Sequence, residues 1–123
     1  KIFYFATPKI NTNTSDKETY LIYKNYYIDY PLKLLNFFKN KKLQFFYPST
    51  IFINQRNSAY SKTKKQAEKK LKLIKNKNVK INILRINEIN TKQNLSLVPR
   101  QLPSFVELLM KNKIYQTKVF FKN

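Results

Sequence analysis

The sequence contains no cysteine, histidine, glycine or tryptophan. Without cysteine there is neither a disulfide framework nor a thiolate metal site, and without histidine the commonest metal ligand and general base are gone. Ser-His-Asp, Cys-His and zinc chemistry are thereby excluded. The lack of glycine removes a further class. Loops that cradle phosphates need glycine for tight turns and for close approach of the backbone, so this chain carries none of its own. No apolar run approaches the roughly 20 residues of a membrane span and no secretory signal opens the chain, so a cytoplasmic protein with no membrane partner is expected.

Acidic residues are also scarce, with 6 Asp plus Glu against 25 Lys plus Arg, a formal net charge of +19. Such an excess ordinarily points to nucleic acid or an anionic surface. Codon drift in an AT-rich genome explains it as well, and is the preferred account. Lysine far exceeds arginine, which stands only at Arg56, Arg85 and Arg100, and arginine is the residue suited to bidentate phosphate and base contacts. What is abundant is apolar: 42% hydrophobic and 15% aromatic residues, too rich for a disordered chain of 123 residues.

The pattern predicts strands at about 1–6, 43–47 and 79–84, and helices at about 16–40 and 58–76. Ser15 and Glu18 have the spacing of a capping box. Pro31 is expected to break or kink the first helix, with Asp29 capping a fresh start. Asn57 and Ser58 cap the second helix. Pro48, Ser49 and Thr50 follow the second strand, as a turn or cap or as hydroxyls for chemistry. A short helix over 104–110 and a strand over 118–121 close the chain. Strand, helix, strand, helix, strand implies an α/β fold with a parallel sheet.

Within the second helix, Tyr60 and Lys64 stand four residues apart and therefore on one face. The same stripe continues through Ala67, Leu71 and Ile74 and reads as the core-facing seam, while Lys62, Lys65, Lys69, Lys70 and Lys72 lie off it. Abundant lysine can produce this spacing by chance. Its meaning depends on what surrounds it.

Three separated stretches resemble one family. Ile2 to Thr7, Phe45 to Thr50, and Tyr60-x-x-x-Lys64 with the following Ala67-Glu68 are similar, in that order, to the fourth strand, the fifth strand and the catalytic helix of extended short-chain dehydrogenases/reductases. Ile83-Leu84-Arg85 resembles the sixth strand. The resemblance implies the second half of a three-layer, Rossmann-like NAD(P)-binding domain over 1–90 and the start of a substrate-binding region over 91–123. It implies NAD or NADP as cofactor, a nucleotide-sugar or other small hydroxy or keto substrate, and a possible homodimer through the family's helices. It makes Tyr60 the acid/base, with Lys64 favouring its phenolate and holding the nicotinamide ribose, and Thr50 or Ser49 orienting the reacting oxygen. Ala6 and Thr7 would lie beside the cofactor, and Arg85, Asn87 and Glu88 beside the substrate. The glycine-rich phosphate turn of the family has no counterpart in this sequence, and a start at Lys1 leads to the expectation that a preceding segment is missing. A basic nucleic-acid-binding protein of ribosomal type, and a non-catalytic relative of the family, are the alternatives.

Overall fold

Apolar and polar residues alternate through Leu43-Gln44-Phe45 and through Val79-Lys80-Ile81, and each stretch forms a strand with one face turned to a helical layer. The computed structural model describes residues 1–11, 13–54, 57–86 and 111. The chain divides into two units, Lys1–Arg85 and Ile86–Asn123, and the core and its helices belong to the first. The expected elements over 104–110 and 118–121, with Asn87 and Glu88, lie outside the described residues.

Strands β1 (Ile2–Phe3), β2 (Leu43–Thr50) and β3 (Val79–Ile86) form a parallel sheet in the order β1-β2-β3. Ile2 lies opposite Phe45 and Phe3 opposite Phe46, and the Tyr4 N–H continues the ladder to the Phe46 carbonyl at 3.0 Å. The first strand is thus shorter than the expected 1–6. Pro48 is the reason: the next ladder bond to β1 needs an N–H that proline lacks. The second strand is longer than expected, because Pro48, Ser49 and Thr50 form its last three residues instead of following it.

Leu43, Phe45 and Tyr47 of β2 point into one core with Tyr4, Ile28, Leu35, Ala67 and Leu71. Phe45 and Tyr47 are fully buried. The described residues therefore make two layers, one sheet and one set of helices. Among them no helix is long and apolar enough to cross a membrane.

The first crossover runs as α1 (Asp16–Lys24), a π-helical turn (Asn25–Asp29) and α2 (Tyr30–Phe37). The Ser15–Glu18 capping box is formed, with side chain and backbone bonded in both directions. Pro31 does not break the rod. It widens it by one residue: Tyr30 N–H reaches back five residues to the Asn25 carbonyl, and α2 follows with the proline in its first turn. Asp29 is not a cap; its backbone is helical and its carboxylate pairs with Lys24 at 2.7 Å.

Proline has no N–H to offer the Tyr27 carbonyl one α-turn back or the Tyr26 carbonyl one π-turn back. Tyrosines from the sheet side take both. The Tyr47 hydroxyl donates to the Tyr27 carbonyl at 2.9 Å, and the Tyr4 hydroxyl to the Tyr26 carbonyl at 2.5 Å.

The second crossover helix, α3 (Ala59–Lys72), ends before the expected residue 76. Its seam is as the spacing predicts: Lys64, Ala67 and Leu71 are buried, Ile74 packs on the core, and Lys62, Lys65, Lys69, Lys70 and Lys72 are exposed.

Tyr47→Phe leaves the buried Tyr27 carbonyl without its donor and is expected to cost about 1–3 kcal/mol. Pro31→Ala on that background restores an N–H within reach and recovers part of the loss, so urea unfolding of the single and double variants will show strong non-additivity. Additive effects would mean that the hydroxyl does not compensate for the proline.

Candidate active site

Ser58 starts α3 in extended conformation and its Oγ accepts the Ser61 N–H at 3.2 Å, the N-cap expected from sequence. The first turn is fixed further by Thr63, whose hydroxyl lies 2.9 Å from the carbonyls of Ala59 and Tyr60. With the helix start so defined, Tyr60 and Lys64 project from one face toward β2 and the π-helical turn.

Lys64 is 5% exposed, and its ammonium donates to the Pro48 carbonyl at 2.7 Å. That carbonyl is accessible because Pro48 also ends the ladder to β1 at this point. Around the ammonium stand three tyrosine rings, with centroids at 4.0 Å for Tyr27, 4.7 Å for Tyr47 and 5.7 Å for Tyr60. Ring faces attract a cation but replace its hydration only in part. Burial lowers the Lys64 amine from 10.5 to about 7, with the Glu68 charge opposing the shift.

Tyr60 packs edge-on against Tyr23 at 5.7 Å and Tyr27 at 5.5 Å. It also lines an open cleft of about 660 Å³ between the starts of α1 and α3, with Tyr20, Tyr23 and Lys62 among its other walls. The expectation that Lys64 favours the Tyr60 phenolate is not met. Burial, and then the Tyr23 phenol, push the Tyr60 hydroxyl above its ordinary value, and Lys64 is directed to Pro48 instead.

Thr50 and Ser49 sit at the C-terminal end of β2, both buried. The Thr50 Oγ1 accepts the Phe52 N–H at 3.2 Å, the turn role that is the alternative to chemistry at this position. Ser49 Oγ makes no hydrogen bond of good geometry, although it lies close enough to Glu68 to help keep that carboxylate charged. Thr7 shares a hydrogen bond with the Tyr27 hydroxyl at 2.8 Å, and Ala6 is exposed.

Arg85 is engaged elsewhere. Its Nε and a terminal nitrogen grip the two Glu68 oxygens at 2.9 and 2.8 Å, and Lys72 approaches at 3.5 Å. Burial would raise the Glu68 carboxyl, but the hydrogen bonds from Arg85, the nearby Ser49 hydroxyl and the charges of Arg85 and Lys72 outweigh it, leaving the group at about 2. Arg85 is thus a partner of α3, not a group free for substrate. Neither spacing nor resemblance assigns a role to Tyr23, Tyr27, Tyr47 or Glu68. A signal for Glu68 is nonetheless present in the sequence: it follows Lys64 by four residues on the same face.

Tested against a dinucleotide, the described residues fit poorly at the phosphate end, since a chain without glycine builds no close backbone cradle. At the other end, the Lys64 ammonium is already bonded to Pro48. What the site offers is a proton-bearing phenol on a cleft and a buried amine behind it.

Two pH effects follow from the shifts. The Lys64 amine is depressed in the fold, so stability rises as pH climbs from about 7 toward 10.5, where the unfolded lysine still binds a proton and the folded one does not. Lys64→Met is expected to flatten that rise in thermal unfolding midpoints. The Glu68 carboxyl is also depressed, so its contribution is complete above about 4.5 and is lost as pH falls toward about 2. Glu68→Gln should cost about 2–3 kcal/mol at pH 7 and little at pH 2, measured by urea unfolding at both.

No protein-family model matches this sequence, and neither a curated protein nor a solved structure matches it.

Proposed function

We propose that the chain is part of an NAD(P)-dependent oxidoreductase or epimerase/dehydratase of the extended short-chain dehydrogenase type, acting on a nucleotide-linked sugar, with Tyr60 as the proton-exchanging group. One observation carries the reading. Tyr60 and Lys64 come off one face of a capped crossover helix, and the Lys64 ammonium lies against the backbone of Pro48 at the C-terminal end of β2, beside Ser49 and Thr50. In open parallel sheets that edge is where ligands are bound. On this reading the two described layers are half of a three-layer, Rossmann-like domain, and the pyrophosphate is held outside the described residues.

The nicotinamide cofactor, when bound, supplies hydride exchange. The chain's own residues handle the proton. Tyr60 is protonated at neutral pH, and burial pushes its hydroxyl further up, so it acts as a proton donor to an oxygen gaining negative charge. The Thr50 hydroxyl is buried, accepts the Phe52 N–H and is not a wall of the cleft that Tyr60 lines, so the proton step falls to Tyr60. Burial lowers the Lys64 amine toward neutrality, so a limb near pH 7 is the expected signature of this group in a rate profile.

One observation favours a second reading, a relative that has kept the fold and lost the chemistry. The Lys64 ammonium is bonded internally and does not lower the Tyr60 hydroxyl. The nucleic-acid reading has less support, because Tyr23, Tyr27 and Tyr60 spend much of their ring surface on one another.

Tyr60→Phe separates these readings. Turnover of a panel of nucleotide sugars with NAD or NADP is expected to fall by about 10²–10⁴ while dinucleotide binding, followed by calorimetry, is unchanged. Binding without turnover in the parent protein would favour the non-catalytic relative. Absence of dinucleotide binding would end the proposal.

A further inference from the structure

The end of the domain away from the candidate site combines two features that rarely occur together on a solvated surface. Both crossover helices finish there with a large apolar side chain turned outward: Phe37, the last residue of α2, is 80% exposed, and Leu73, which caps α3, is 70% exposed. The next residue in each case, Phe38 or Ile74, is packed on the core, so the outward side chains are anchored from beneath. The Phe38 ring meets Phe37 edge-on at 4.9 Å.

The two helix ends form one surface. Asn76 Nδ2 donates to the Lys39 carbonyl at 2.9 Å, and the Leu43 N–H to the Asn78 carbonyl at 2.7 Å. Around the apolar pair the charge has one sign. Residues 38–43 carry three lysines and residues 69–77 five, all exposed, and neither stretch holds an acidic residue.

We propose that this end of the domain docks on an anionic lipid surface, with Phe37 and Leu73 entering the headgroup boundary and the surrounding lysines neutralising it. Exposed apolar side chains ringed by lysine match an interface whose outer layer is anionic and whose next layer is apolar. A nucleic-acid backbone satisfies the lysines but leaves a leucine and a phenylalanine hydrated. A second copy of this face would bring like charge against like. The docking face lies at the start of β2 and β3, and the candidate site at the C-terminal end of β2, so bound protein keeps the cleft open to solution. This inference does not depend on the proposed activity.

Sedimentation of the full chain with phosphatidylcholine vesicles, with and without phosphatidylglycerol, tests it. Binding is expected to the anionic vesicles alone and to be lost at high salt. Phe37→Ser with Leu73→Ser should weaken it about tenfold or more, while Lys41→Glu with Lys75→Glu removes it. All four side chains are exposed, so circular dichroism and the unfolding midpoint should not change; the single variant Leu73→Ser, with a smaller loss, serves if the double variant is unstable. Equal binding to neutral vesicles overturns the proposal. So does unchanged binding by the serine variants, or tighter binding to duplex DNA or RNA that ignores Phe37 and Leu73.

Discussion

Pro31 leaves two carbonyls of the first crossover helix, those of Tyr26 and Tyr27, without the N–H that any other residue would bring, and tyrosine hydroxyls at Tyr4 and Tyr47 take them. A buried carbonyl without a donor costs as much as a lost hydrogen bond, so this exchange fixes where helix and sheet meet. It also sets the Tyr27 ring over the Lys64 ammonium. A second proline works at the same level of the fold. Pro48 ends the β1 ladder, and its carbonyl is where the ammonium binds.

Two ionisable groups on one face of α3 are thus treated in opposite ways. Lys64 has a single carbonyl and ring faces for company, and the neutral amine gains on the charged form. Glu68, one turn on, has Arg85 in a two-point grip and remains ionised despite its burial. Number and geometry of hydrogen-bond partners separate them, one acceptor for Lys64 and a two-point donor for Glu68, since both are nearly inaccessible to solvent.

Much of this was legible in the sequence where one local pattern decided the outcome. The α3 seam through Lys64, Ala67 and Leu71, the Ser58 cap and the Ser15–Glu18 box follow from helical spacing and side-chain reach alone. Three strands separated by helices were legible from short apolar runs and, at β3, from alternation. The π-helical turn was not, because proline in a helix predicts a break unless distant donors compensate, and those donors stand 20 and 22 residues from the carbonyls they serve. For the same reason, the direction of the Tyr60 shift was not legible. Four-residue spacing places Lys64 near Tyr60, but which oxygen the ammonium chooses depends on a proline in another element.

The two halves of the long helix also differ in what each requires before it can form. α1 is complete in itself, with a capping box at its start, acidic residues in its first turn and Lys24 in its last. α2 has no side-chain cap, and the turn that joins it to α1 draws on Tyr4 and Tyr47. Helices this short do not persist alone in water. Neither half is therefore stable by itself, and the join at the proline depends on Tyr4 and Tyr47 from the sheet side. The long helix and the sheet thus complete one another: a peptide spanning only the helix lacks the two hydroxyls that the join at Pro31 uses.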